Sequence, residues 1–396
     1  MNDTANQTMR PAIVQVLPAL VTGGAERGAI DVAVASLEAG LQSIVISSGG
    51  PMARELSRAG ATHIELPVDT KNPITIKRNI SRIQDAIRSH TGNNGSEQVQ
   101  GIIHARSRAP AWSAWYAANE LGMPFVTTFH ATYNYSSPVK KAYNAIMTRG
   151  ERVIAISNFI RDHMMNNYKT EWARIRVIHR GIDTGMFHPE KVSVERVVKL
   201  ATDWRLPDGV PVVMLPARLT RWKGHILLLR ALAKVKDRPF RCLLVGSDQG
   251  RTAYRAELER EAATLGLMDR VHIVDDCRDM PAAYMLADVV VSASTDPEAF
   301  GRVAVEGQAM GRPVVAPAHG AAPEQVTHGV NGFLFEPGNV ESLAAVLDQA
   351  LALDSDERER FRDVGIANVA QHFTKEVMCG KTLDVYREIM DRHNIG

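Results

Sequence analysis

The sequence predicts an α/β protein made of two doubly wound, parallel-sheet domains. Three observations carry this. At 396 residues the chain exceeds what one ordinary hydrophobic core holds, so two domains are expected. Short apolar runs of strand length alternate with helix-length stretches, the rhythm of βα units. Apolar runs also open into loops bearing glycine, proline or arginine just before a helix begins, most clearly between Asp288 and Pro313. In open α/β sheets, ligands bind at such carboxyl ends of strands.

Composition narrows the function. With 45 % hydrophobic and 23 % charged residues the chain reads as a soluble globular protein. A net charge of +2 gives no case for a nucleic-acid binder. Three widely spaced cysteines, Cys242, Cys277 and Cys379, suggest a reducing compartment and no zinc site. Met1 to Arg10 is polar and lacks the apolar centre of a signal peptide. No apolar run approaches the ~20 residues needed to span a bilayer. The expectation is a cytoplasmic protein whose membrane contact, if any, is peripheral.

In the first domain a strand over 12–20 meets a helix over 25–39 at Gly23-Gly24, where a phosphate can approach the backbone closely. A tight βα turn is the other reading. The full Gly-x-Gly-x-x-Gly pattern is absent, which argues against a nicotinamide site. Strands over 43–47 and 63–66 alternate with helices over 52–59 and 74–90, and 91–98 reads as a polar loop. The strand over 101–105 opens into Arg106 and Arg108, with Pro110 in the first turn of a helix. Two arginines there either hold an anionic acceptor group or are solvated surface residues. The strand over 125–129 delivers His130 at its carboxyl end, followed by Tyr133 and Tyr135, which either stack on a sugar or pack the loop. From Pro138 to Gly181 nine basic residues face three acidic ones, a pattern that suits an anionic lipid surface or an ordinary solvated face. Strands over 152–156 and 175–178 complete the sheet, and 183–211 reads as a linker with room for a helix.

The second domain opens with a strand over 212–216, running into Arg218 and Lys223 before Gly224 and a helix to 236. Two cations beside a helix start suit a departing diphosphate, because negative charge grows on the bridging oxygen. Strands over 242–246 and 271–274 follow, the latter leading to Asp275-Asp276-Cys277. The apolar run 288–293 then opens into a loop with Glu298 and a helix over 303–310 that carries Glu306. The amides of Phe300, Gly301 and Arg302 at that helix start would form an anion site. Each carboxylate can accept two sugar or ribose hydroxyls. Helices over 340–353 and 356–372 follow.

Glu298-x7-Glu306 followed by Gly-x-Pro-Val-Val resembles the donor-site signature of retaining glycosyltransferases of family 4, which have the GT-B fold. Arg218-x4-Lys223-Gly224, Gly23-Gly24-Ala25-Glu26, Arg180-Gly181-Ile182-Asp183 and Asn331-Gly332 agree with it. The departures are Ala131 after the histidine, and Asp275 and His319 where the family has glycines. The resemblance implies two Rossmann-like domains facing a central cleft, 1–186 on the acceptor side and 187–374 on the donor side, with a helix over 375–396 crossing back to the first. It implies that Gly24 lies against the donor diphosphate, His130 near the donor sugar, and Cys277 and its neighbours beside the base. Arg218 and Lys223 would neutralise the diphosphate, Glu306 would hold the ribose and Glu298 the donor sugar.

The expected activity is transfer of a hexosyl group, with mannose the leading choice, from a UDP- or GDP-sugar with retention. The acceptor, a glycolipid or lipopolysaccharide core, is inferred from the likeness alone. Arg106, Arg108 and Tyr133 are the acceptor-side candidates, and the protein would touch the inner membrane peripherally on its cytoplasmic face. No clear Asp-x-Asp metal motif is read, Asp275 and Asp276 being adjacent without a spacer, so no divalent metal or other cofactor is expected to be required. The competing readings are a sugar-nucleotide epimerase or hydrolase and a non-catalytic sugar-nucleotide binder.

Overall fold

The computed structural model describes residues 10–21, 23–91, 99–133 and 135–395. Met1 to Met9 and most of the expected polar loop, 92–98, lie outside them. The chain divides into two compact units, one comprising residues up to Gly181 together with those from Lys375 onward, the other Ile182–Thr374.

The first unit is a seven-stranded sheet, every ladder parallel, of order β3-β2-β1-β4-β5-β6-β7. Its strands are β1 (Ala12–Val16), β2 (Gln42–Ser47), β3 (Thr62–Glu65), β4 (Gly101–Ala105), β5 (Phe125–Phe129), β6 (Arg152–Ala155) and β7 (Ile175–Val177). β1, β4 and β5 are buried at every position, as expected of strands covered on both faces by helices. The connecting helices are α1 (Gly24–Glu38), α2 (Ala53–Arg58), α3 (Pro73–His90), α4 (Arg108–Leu121), α5 (Pro138–Asn144) and α6 (Asn158–Tyr168). β1 ends sooner than the apolar run suggests. Pro18 cannot extend a ladder, and Leu17 and Leu20 are apolar because their loop is buried, at 2 % and 0 % exposure.

The helix Lys375–His393 packs into this unit. Met378, Leu383, Tyr386 and Ile389 cover Ile13, Ile102, Val126 and Ile154. A buried polar chain runs through the contact, with His104 between the Tyr386 hydroxyl at 2.6 Å and the Thr128 hydroxyl at 2.7 Å. Glu388 meets Arg152 on β6 at 2.5 Å and Arg176 on β7 at 2.8 Å. The hydrogen bond from Arg152, with Arg176 adding to it, holds the Glu388 carboxyl down at about 2.

These contacts correct the expectation of a basic face over Pro138–Gly181. Arg152 and Arg176 are bound to Glu388, and Arg174 donates to the carbonyls of Thr148 and Gly150. Arg161 pairs with Asp162, and Arg180 donates to His130. Much of the run's charge holds the unit together instead of facing solvent.

The second unit has a parallel six-stranded sheet of order β10-β9-β8-β11-β12-β13. The supposed linker contains α7 (Val194–Asp203), whose Arg196 pairs with Asp279 at 2.6 Å. Then come β8 (Val212–Pro216), α8 (His225–Lys234), β9 (Arg241–Val245), α9 (Thr252–Thr264), β10 (Val271–Val274), α10 (Met280–Leu286) and β11 (Val289–Val291). The unit closes with α11 (Arg302–Ala309), β12 (Val314–Pro317), α12 (Ala322–Gln325), β13 (Phe333–Phe335), α13 (Val340–Ala352) and α14 (Ser355–His372).

Each sheet has a topological switch point, where successive βα units turn to opposite sides and leave a crevice at the strand ends. In the first unit it lies between β1 and β4, so Gly23-Gly24 and Arg106–Arg108 leave the sheet side by side. In the second it lies between β8 and β11. The loops that carry Arg218 and Lys223 and the loop that carries Glu298 are therefore neighbours.

Candidate active site

In the second unit the two motif loops meet backbone to backbone. The Thr295 amide donates to the Trp222 carbonyl at 2.8 Å. Gly224, at φ +73°, lies so close to the end of β11 that a Cβ would stand 1.8 Å from the Ala293 carbonyl oxygen. Only glycine meets both the left-handed backbone and this approach. Its tightness sets Lys223 opposite Glu298, Nζ to Oε1 at 2.8 Å, with both side chains mostly buried at 14 % and 19 % exposure. Lys223 also lies 4.2 Å from the centre of the Trp222 ring. The Ser294 hydroxyl donates to the same Glu298 oxygen. Arg218, on the β8 loop, is exposed and forms no ion pair among the described residues.

The loop after Glu298 ends at Gly301, whose φ of +80° caps α11, and the helix begins at Arg302. Gln325 donates to the Phe300 carbonyl at 2.5 Å, so that carbonyl is held at the back of the loop. Gln325 is itself fixed in a cluster of amides. Gln308 and Asn368 donate to its backbone carbonyl at 3.0 and 3.2 Å, and Asn368 and Asn331 donate to the Gln308 side chain at 2.7 and 3.2 Å. A small depression beside this loop is lined by Glu298, Phe300, Gly301, His319 and Gln325 among others. His319 donates from Nε2 to the Ser294 carbonyl at 3.0 Å, tying the loop after β12 to the one after β11.

Glu306 lies just over one turn into α11, with its side chain 12 % exposed. The Tyr284 hydroxyl donates to its Oε2 and Arg302 meets its Oε1, both at 2.8 Å. Burial, reinforced by Glu306, pushes the Tyr284 phenol well above its ordinary value, so it remains a donor. Cys277 is half-buried after β10, two strands away from the β8–β11 switch point, and burial raises its thiol.

In the first unit Gly23 and Gly24 begin α1, with Gly23 as its cap. Arg106 is only 5 % exposed. It donates to Gln15 Oε1 at 2.7 Å and to the Gly28 carbonyl at 3.2 Å, so its guanidinium braces β1 and α1 from within. Arg108 donates to Asn144 at 2.9 Å and covers the Tyr133 ring at 4.1 Å. Tyr133 packs against Phe129 and accepts from the His130 amide at 3.5 Å.

His130 carries the most specific electronic feature of this unit. Its Nδ1 stands 2.9 Å from Arg180 Nη2. Arginine can only donate, so Nδ1 accepts and the ring proton sits on Nε2. Burial, followed by the charges of Arg180 and Arg106, holds the ring's pKa well below its usual range. His130 is thus a neutral imidazole, and its buried Nε2–H has no partner among the described residues.

Sequence reasoning named the residues with a charge or a strand-end position. It missed Ser294, Tyr284, Gln308, Gln325 and Asn368, which act from behind. Gln308 lies two positions after Glu306 and on its own reads as helix surface, whereas Asn368 is sixty positions further on and gives no local signal.

Two family models match the chain, "Glycosyltransferase Family 4" over residues 22–185 and "Glycosyl transferases group 1" over residues 199–367. A glycosyltransferase from Rickettsia africae, known from its crystal structure, is 37 % identical, covers 96 % of this chain and 99 % of its own, and superposes with a TM-score of 0.87. The chain belongs to glycosyltransferase family 4. It is a transferase with the GT-B pair of Rossmann-like domains. A D-inositol 3-phosphate glycosyltransferase of Xylanimonas cellulosilytica is 29 % identical over 313 residues, 75 % of this chain and 74 % of that protein. The fold is shared further with Anabaena HepE, crystallised with UDP and glucose, at a TM-score of 0.80 and 23 % identity over 96 % of this chain and 100 % of that one.

Proposed function

We propose that this transferase moves a hexosyl group from a nucleoside-diphosphate sugar, with retention, to an anionic or lipid-linked glycan acceptor. The observation that carries the donor half is the Lys223–Glu298 pair beside the Gly301-capped start of α11. A lysine, an exposed arginine at 218 and a helix N-terminus are all suited to a diphosphate whose charge grows as the anomeric C–O bond breaks. Glu298 would accept hydroxyls of the donor sugar, and Glu306, oriented by Tyr284 and Arg302, those of the ribose. In the first unit the same reading gives the amides at Gly24 to a phosphate and the Nε2–H of His130 to a sugar hydroxyl.

Retention follows from front-face attack in this reading. The acceptor oxygen bonds to the anomeric carbon from the side the diphosphate leaves, and a phosphate oxygen takes the acceptor proton. No carboxylate is assigned as a nucleophile. Arg108, with Tyr133 beneath it, suits an anionic acceptor group. Arg106 would act only by bracing β1 and α1. UDP- and GDP-sugars, mannose included, remain the donors to test. For the acceptor we put lipopolysaccharide core or another glycolipid first. A small phosphorylated polyol is the second reading, favoured by the name of the Xylanimonas relative.

The test is nucleoside-diphosphate release from a panel of UDP- and GDP-sugars, with no acceptor, with glycolipid extract, and with inositol phosphates. Release that depends on one acceptor class, with an α-anomeric product from an α-anomeric donor, supports the reading. Inversion at the anomeric carbon refutes the mechanism, and donor turnover that no acceptor accelerates refutes the transfer.

A further inference from the structure

The first residue of α8 is a histidine to which the donor reading gives no task. His225 is fully buried, at 0 % exposure, directly after the tight turn at Gly224. A side chain at a helix start leans back over the preceding turn, here the loop that carries Arg218 and Lys223. The carbonyls of Ala217 and Thr220, on either side of Arg218 in the chain, bear on its ring. From α9 the Tyr254 ring meets it edge to face at 5.9 Å. Arg221 lies over that same tyrosine at 5.1 Å and is held by Glu257 at 2.6 Å.

The loop above the ring is closely knit. The Lys223 amide donates to the Thr220 carbonyl at 3.0 Å, and the Thr220 amide to the Arg218 carbonyl at 2.7 Å. A shift of the Thr220 peptide is therefore passed to both cations. The packing does not satisfy the ring itself. Nδ1 and Nε2 are both buried, and neither has a hydrogen-bond partner among the described residues. Burial, opposed by the two carbonyls and aided by the Lys223 charge, holds the ring at about 4, so it is neutral and carries one N–H. A buried donor left unpaired destabilises the free chain, and a phenylalanine fills such a space without that cost. An unpaired N–H beside two carbonyls, under a loop with two cations, instead fits a loop that settles further when an anion binds.

We propose that His225 is a positioning residue of the donor site: a diphosphate held by Arg218 and Lys223 draws the 217–223 loop onto the His225 ring, whose N–H then donates to the Ala217 or Thr220 carbonyl and fixes both cations. The inference rests on the diphosphate reading of those two residues.

The test measures GDP and UDP binding by calorimetry, and the denaturant midpoint without nucleotide, on the full chain. His225→Phe should be at least as stable as the wild type, because it removes an unpaired buried group. It should nevertheless bind the nucleotide that the wild type binds about tenfold more weakly, the weight of one buried hydrogen bond. Of His225→Asn and His225→Gln, whose amides stand in for Nδ1–H and Nε2–H, one should bind within about threefold of the wild type. Added to Lys223→Ala, His225→Phe should weaken binding by no more than about threefold, because the ring acts through the loop that presents the lysine. His225→Phe that loses stability and binding together would overturn the proposal, since the ring would then only fill the core. Failure of both amide variants to recover binding would do the same. Weakened binding in Lys223→Ala beside wild-type binding in His225→Phe overturns the proposal alone. Wild-type binding in Lys223→Ala, or no binding of either nucleotide by the wild type, refutes the diphosphate reading and the proposal with it.

Discussion

Replacing Lys223 by alanine tests the donor site most directly. At the 2.8 Å separation of Nζ and Oε1, Coulomb attraction is worth about 6 kcal/mol at an effective dielectric of about 20. Desolvating two mostly buried groups takes back most of this, leaving a coupling of about 1–2 kcal/mol. The catalytic effect is larger and separable. Lys223→Ala removes a fixed cation from the point where charge grows, which should lower kcat/KM by about 10²–10³, or roughly 3–4 kcal/mol. Glu298→Gln should lower kcat with little rise in donor KM, because it releases Lys223 from its carboxylate. Steady-state kinetics on the two single variants and the double variant close a cycle. The double variant should be less impaired than the sum of the singles by about 1–2 kcal/mol. Wild-type kcat/KM in Lys223→Ala would refute the role of the lysine. Strict additivity would show that the pair does not act as a unit.

Three further outcomes are expected. Glu388, held at about 2 by Arg152 and Arg176, has a folded-state value below its unfolded one of 4.5. Its contribution, about 3.4 kcal/mol before a discount for partial exposure, is therefore present above the unfolded value and lost as pH falls toward 2. Glu388→Gln should flatten the acid limb of a stability-against-pH curve, and an unchanged limb would contradict the assignment. His130→Phe keeps a ring but loses the Nε2–H, so kcat should fall about 10²-fold, as for one lost oriented donor. Because the wild-type ring stays neutral, its rate profile should show no inflection near the usual imidazole value of about 6.5, and one that vanished in His130→Phe would refute the neutral ring. Gly224→Ala forces a Cβ onto the Ala293 carbonyl and should cost more than about 2 kcal/mol by denaturant midpoint. Gly209→Ala has a similar φ of +71° but open space and should cost only about 1 kcal/mol. Equal midpoints would refute the close-approach argument.

The chain's alternation of strands and helices was readable because parallel strands buried on both faces favour continuous apolar runs, as in β8 and β11. Residues 17–20 misled for the same reason, since a buried loop is as apolar as a strand. Helix α7 fills the room the sequence left for a helix in the linker, between stretches marked by proline and glycine. At the candidate site, loop charges such as Arg218, Lys223 and Glu298 stand out at strand ends. Arg106 looks identical in sequence, yet Gln15 and the Gly28 carbonyl draw it inward, and those partners are fixed only by the register of β1 against β4. The uncharged supports of the Phe300 loop come from α11, α12 and α14 and converge only in three dimensions.

Those supports have a consequence of their own. Asn368, Gln308, Asn331 and Gln325 are carboxamides, and none of them titrates in the range where proteins work. The backing of the Phe300 loop therefore carries no net charge and gains none with pH or salt. It adds no competing field behind the lysine, the arginine and the two glutamates. Changes of pH or ionic strength should retune the charges that face the ligand while leaving the shape of the loop that presents them unaltered.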